Sequence, residues 1–235
     1  GAKESINLLR QNNIPCRFIT NTTRMTKKNL VTKLQAMGLT LEVNEVFAAP
    51  HAAVEYCKNM EYTTIDLVVP DNEMEEDFID FDLHAENPQA IVLGDMGNLF
   101  TFDLLNALFK KILNGAEIVA MHKNKYWHSG NGLTLDLGAF VAALEFATEK
   151  EAVVIGKPDP HLFQLAVKPW GLSFQSIYMV GDDIGGDIGG ANNVGMQSIL
   201  VKTGKYREES LKRSEITPDF IINSVADLPE LLQLN

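Results

Sequence analysis

The feature that most constrains this chain is a rhythm. From end to end, short β-rich apolar runs alternate with amphipathic helical stretches. Strand-like runs fall at residues 16–20, 46–49, 65–69, 90–93, 117–121, 152–155, 177–180, 198–201 and 220–222. Helical patterns occupy 2–10, 51–60, 103–113, 137–147, 161–167 and 225–232, and another begins after Thr26, a candidate cap, with Leu30, Leu34 and Met37 as its stripe and Gly38 at its end. Strands separated by helices cannot pair through tight hairpins. They need crossovers, so the pattern predicts an α/β chain with a mostly parallel, doubly wound sheet. Residues 71–82 are acidic and read as an exposed segment.

In open α/β sheets ligands bind at the carboxyl ends of the strands. Four strand ends are polar or glycine-containing here: Thr20-Asn21, Gly94-Asp95, Gly156-Lys157 and Gly181-Asp182. A hydroxyl, an amide and an ammonium (Thr20, Asn21, Lys157) can each donate to phosphate oxygens. Carboxylates (Asp182, Asp183, Asp187) do the opposite job and suit Mg²⁺, a hard cation that prefers oxygen. Two adjacent carboxylates at one strand end repel each other, and a cation is the simplest reason to gather them. The combination describes a phosphoryl-transfer site, where catalysis is mainly positioning and charge neutralisation.

Composition narrows the partners. The net charge is −11, and the richest basic stretch, 202–213, is interrupted by Glu208 and Glu209. Counterion release from nucleic acid needs a basic stripe, and anionic membranes need a basic face, so neither is an expected partner. A small phosphorylated substrate remains, since a bound divalent metal can make a local site positive on an acidic protein. Cys16 and Cys57 form no CxxC pair and read as reduced thiols; with no apolar run of membrane length, the composition leans cytoplasmic. The histidines 51, 84, 122, 128 and 161 form no zinc-like spacing, and the glycines at 185, 186, 189 and 190 do not fit a dinucleotide fingerprint.

In order, FITNTTR, GKPDP, GDDIGGDIGGANNVGM and ILVKTGKY resemble the motifs of the haloacid dehalogenase superfamily, most closely the branch of NagD-type phosphatases. The middle of the chain (NPQAIVLG, LLNALFKKILNGA, GAFVAALEFAT) resembles that branch's large α/β cap, so the resemblance covers essentially the whole sequence. It implies a Rossmann-like core at 1–60 and 150–235 with the cap inserted at 61–149, and cap-mediated pairing into a homodimer. It implies that Thr20 binds the phosphoryl group with Asn21 beside it, and that Lys157 neutralises nucleophile and phosphate. It also gives Asp182 and Asp187 (GDxxxxD) as the metal acids, with the part of Asp183 left open. Within the cap, Trp127 and His128 read as surface loop and Asp136 as a candidate substrate contact. The family's nucleophile and general acid/base stand in a DxDGT-type motif ending the first strand, and no such motif occurs in the 235 residues. The expectation is therefore a Mg²⁺-dependent phosphatase acting through an aspartyl-phosphate, on esters or on P–N or pyrophosphate bonds, with the nucleophile segment missing from the sequence. Two alternatives are a phosphate-binding module without catalysis and a receiver domain. The latter carries its acidic pair early, and here the acids come last.

Overall fold

The computed structural model describes residues 1–130 and 132–234. They fall into two compact units: Gly1–Ile19 with Val31–Val46 and Lys157–Asn235, and Thr20–Leu30 with Phe47–Gly156. Among the described residues no helix is long and apolar enough to cross a membrane.

The chain opens with α1 (Ala2–Gln11) and reaches β1 (Phe18–Thr20) two residues later than its apolar run suggests. The reason is local. Arg17 donates from Nε to the Ala166 carbonyl at 3.1 Å and lays its guanidinium 5.4 Å from the Trp170 ring centre, while Cys16 packs among apolar side chains. Helix α2 (Lys27–Ala36) is capped as the sequence suggests, by Thr26 Oγ1 accepting from Asn29 N at 3.2 Å, and Gly38 turns the chain out of it at φ +89°. Arg10 Nη2 donates to both carboxylate oxygens of Glu45, at 2.9 and 2.7 Å, ahead of β2 (Val46–Ala48), which pairs with β1. Helix α3 (Ala49–Asn59) follows, with Pro50 in its first turn, where a missing N–H costs nothing.

The second unit is built on a parallel sheet. Strands β3 (Ile65–Val68), β4 (Ala90–Leu93) and β5 (Glu117–Ala120) run side by side in register, with Ile65 opposite Ala90 and Ala90 opposite Glu117. Every residue of β4 is buried, as a strand covered on both faces requires. Helices α4 (Phe102–Leu113) and α5 (Leu137–Thr148) pack together over it, closing a core of Ile91, Leu93, Leu108, Ile112, Leu137 and Val141. Between β5 and α5 the chain forms an antiparallel hairpin, β6 (Tyr126–Ser129) and β7 (Gly132–Leu135), where the sequence reading expects loop. The segment at 71–82 exposes Asp71, Glu73, Glu76, Asp80 and Asp82, but Glu75 and Asp77 are half-buried, and its short 3₁₀ turn (Asn72–Phe78) buries Met74 and Phe78 completely. The run at 152–155 is also redirected. Its strand β8 (Val153–Val154) joins β5 in this sheet rather than the strands that follow it.

The first unit carries α6 (Pro160–Val167), β9 (Tyr178–Gly181), α7 (Gly190–Val194), β10 (Gln197–Val201), α8 (Glu208–Arg213), β11 (Phe220–Ile222) and α9 (Leu228–Leu231). Its sheet is parallel in the order β11-β10-β9. Leu9, Ile199 and Leu228 form its buried centre, with Cys16, Val180 and Ile222 packed around them. The α/β class read from the sequence is the fold observed.

Candidate active site

The acidic loop begins where β9 ends. At Gly181 a side chain is impossible, since a Cβ there would lie 2.3 Å from Asp187 Oδ2. That close approach lets the loop fold back on itself. Asp187 Oδ2 accepts from the main-chain N–H groups of Asp182 and Asp183, both at 3.1 Å. Asp187 Oδ1 accepts from Lys157 Nζ at 2.6 Å. Both oxygens of this carboxylate, only 4% exposed as a residue, are thus engaged within the protein. Asp187 holds the loop and the lysine together. Lys157 also donates to the Ile19 carbonyl at 3.4 Å, the residue before Thr20.

Asp183, undecided from sequence, has a definite place. Its Oδ1 accepts from Gly185 N at 3.1 Å and Gly186 N at 3.0 Å, capping the π-helical turn Ile184–Gly189. Its Oδ2 pairs with Lys205 Nζ at 3.1 Å. Burial alone would raise this carboxyl's pKa. The Gly186 and Gly185 N–H groups and the Lys205 charge outweigh burial and hold it below the ordinary aspartate value. Asp182 is partly exposed, as is Asp183, and its Oδ2 accepts from Lys205 N at 2.7 Å.

Lys205 and Gly204 were given no role in the sequence reading, although they lie in ILVKTGKY. The signal was position: they follow β10, the neighbour of β9, so their loop starts beside the acidic one. Gly204 adopts φ +57°, and a Cβ on it would sit 1.9 Å from Asp182 Oδ2, so only glycine allows the contact.

The remaining sequence candidates are less gathered. Thr20 Oγ1 forms a hydrogen bond with Thr22 Oγ1 at 2.9 Å and accepts from Thr22 N at 3.1 Å, an ordinary turn for a strand-end threonine. Asn21 lies against Gly156, whose Cβ would come 2.7 Å from Asn21 Oδ1 and 2.3 Å from the Met121 carbonyl. Asp95 is locked by Arg24, at 2.9 Å from Nε and 2.7 Å from Nη2, and accepts from Gly97 N. Asp136 caps α5 by accepting from Leu137 N at 2.8 Å, and it is buried with His122 Nε2 at 3.7 Å. A buried cap explains Asp136 without a substrate. Trp127 lies in β6 rather than in a loop, and the side chain of His128 lies outside the described residues.

Among the described residues no three or more His, Cys, Asp or Glu side chains gather as metal ligands. Mg²⁺ is usually held by one or two carboxylates and completed by water and substrate phosphate. Asp182, partly exposed and oriented by the Lys205 N–H, fits that demand, with Asp187 behind it.

Two family models match the chain: a haloacid dehalogenase-like hydrolase model over residues 1–84 and a HAD-hydrolase-like model over 154–228. The haloacid dehalogenase-like hydrolase domain-containing protein 2 of Bos taurus is 37% identical over 88% of this chain and 78% of its own length. This chain belongs to the haloacid dehalogenase-like hydrolases. Within that family, the phospholysine phosphohistidine inorganic pyrophosphate phosphatase of Xenopus laevis is 32% identical over 99% of this chain and 85% of its own. The structure of NagD from Escherichia coli K-12 shares the fold at a TM-score of 0.85, with 21% identity over 97% of this chain and 90% of that one. The chain is thus a haloacid dehalogenase-like hydrolase that shares the fold of NagD.

Proposed function

We propose that the chain is the binding and charge-neutralising apparatus of a Mg²⁺-dependent phosphatase for a small phosphorylated metabolite, working through an aspartyl-phosphate. The observation that carries this reading is the lysine–aspartate junction. Lys157 and Asp187, both largely buried and 2.6 Å apart, fix an acidic loop with two partly exposed carboxylates, Asp183, already paired with Lys205, and Asp182, which meets no side-chain cation at hydrogen-bond distance among the described residues. In this reading Lys157 and Thr20 act on the phosphoryl group, Asn21 assists its binding, and Asp182 holds Mg²⁺ with Asp187 in support. Mg²⁺ would supply charge neutralisation of the phosphoryl oxygens. The nucleophilic aspartate is taken from the family's DxDGT motif, which these residues do not contain. Residues 61–149 take the part of the cap that selects the leaving group. The P–N and pyrophosphate specificity in the name of the Xenopus relative makes those bonds candidates beside phosphate esters.

The test measures binding and turnover together. Isothermal titration with Mg²⁺, then with inorganic phosphate in the presence of Mg²⁺, is run beside phosphate release from p-nitrophenyl phosphate and a panel of small phosphates. Wild type should bind phosphate only when Mg²⁺ is present, and Asp182→Asn should lose both. Any hydrolysis should vanish with EDTA. A folded wild-type chain that binds no Mg²⁺ would overturn the reading.

A further inference from the structure

The acidic loop carries two ammonium groups with different settings. Lys157 is largely buried and tied to Asp187. Lys205 comes from the loop after β10, and its side chain is 61% exposed. Its main-chain N–H already fixes Asp182, and Gly204 lets the two approach. Its ammonium reaches Asp183 at 3.1 Å and lies within electrostatic range of Asp182 and Asp187 as well. Asp183 does not need it for position, because Gly185 N and Gly186 N hold the other oxygen.

An ammonium that is dispensable for geometry yet faces three carboxylates has an electrostatic role. We propose that Lys205 is a built-in counter-cation of the acidic loop. It stabilises the metal-free loop and competes by its charge with a divalent cation at Asp182, so that it weakens Mg²⁺ binding. This rests on the metal reading above and adds a regulator to it. Lys205 is a positioning residue through its main chain and a tuning residue through its side chain. The two roles separate under substitution, because a side-chain change leaves the N–H in place.

The experiment is Mg²⁺ titration of the full chain, wild type against Lys205→Met, Lys205→Gln and Lys205→Arg, at low and high ionic strength, with circular dichroism to confirm folding. The methionine and glutamine variants should bind Mg²⁺ roughly two- to tenfold more tightly than wild type at low salt. The arginine variant should stay within about twofold of wild type because it keeps the charge. The gap should close as salt rises, which a merely structural perturbation would not show. Wild-type or weaker affinity in both neutral variants overturns the proposal, and the glutamine variant serves if the methionine variant does not fold. A wild-type chain that binds no Mg²⁺ would overturn the metal reading and this inference together. Failure of this inference alone leaves wild-type binding intact.

Discussion

Strands β4 and β9 both lead into Gly-Asp, at Gly94-Asp95 and Gly181-Asp182, and the two aspartates meet opposite fates. Strand β4 is paired on both sides, and every one of its residues is buried. Its aspartate, Asp95, is held by the forked guanidinium of Arg24 and by Gly97 N. Thr23 Oγ1 also accepts from the Asp95 N–H at 3.0 Å. Strand β9 pairs only with β10 among the described residues, and its side chains are partly open. Its aspartate, Asp182, faces further acids and receives one main-chain N–H. An apolar run followed by Gly-Asp therefore does not define a site. A cation supplied by a neighbouring side chain makes the aspartate structural. Carboxylates gathered with fewer side-chain cations, as around Asp182, are where the proposed Mg²⁺ reading places the metal.

The sharpest way to break this contrast is to remove the buried partner on the β9 side. Asp187→Ala leaves the Lys157 ammonium buried and two N–H groups unsatisfied, and breaking a buried pair costs about 3–5 kcal/mol. Urea unfolding should show a loss of that size together with lost Mg²⁺ binding. A loss under about 1 kcal/mol would mean the loop stands without its junction.

On the β4 side the effect should be smaller and purely structural. Arg24 is 43% exposed at its side chain, so solvent screens much of its pairing. Arg24→Ala should cost about 1–2 kcal/mol, because Asp95 is left mostly buried, and should leave Mg²⁺ affinity unchanged. Weakened Mg²⁺ binding in that variant would erase the distinction between the two strand ends.

The smallest effect lies at the opposite end of the second unit's sheet, where β5 begins. Glu117 there accepts from Tyr62 at 2.6 Å and from Tyr56 at 3.2 Å. Burial, the Glu117 charge and the hydrogen bond push the Tyr56 phenol up to about 12; burial, the same hydrogen bond and the same charge raise Tyr62 as well. A folded-state pKa above the unfolded value contributes stability that is complete below about pH 10 and is lost as pH rises through the folded value. Absorbance at 295 nm should therefore show two of the five tyrosines resisting ionisation near pH 11 while the chain is folded. Tyr62→Phe should remove one of the two.

The sequence was legible wherever the signal was local. The Thr26 cap, the Gly38 exit and the alternation of strands with helices depend on near neighbours, and they appear as read. Lys157 and Asp187, singled out near strand ends, stand together in an ion pair at 2.6 Å. Illegible were the pairings that depend on distant partners. A four-residue run such as 152–155 does not state which sheet it will join, and β8 chose β5. The hairpin of Tyr126–Ser129 with Gly132–Leu135 had a usable sequence cue in Gly130 and Gly132, but its described apolar side chains lie on the surface, with Leu133 64% exposed, so no core pattern announced it. Asp183 could not be placed, because its partners are glycine N–H groups and a lysine from another strand's loop.

The guanidinium stacked on Trp170 has a use beyond packing. The chain has two tryptophans, and they fall one to each unit: Trp170 beside Arg17 in the first, Trp127 in the hairpin of the second. Each is therefore a native optical label for its own half. Trp127→Phe and Trp170→Phe would give single-emitter chains whose fluorescence follows the melting of one unit at a time, and the two traces would coincide only if the halves unfold as one.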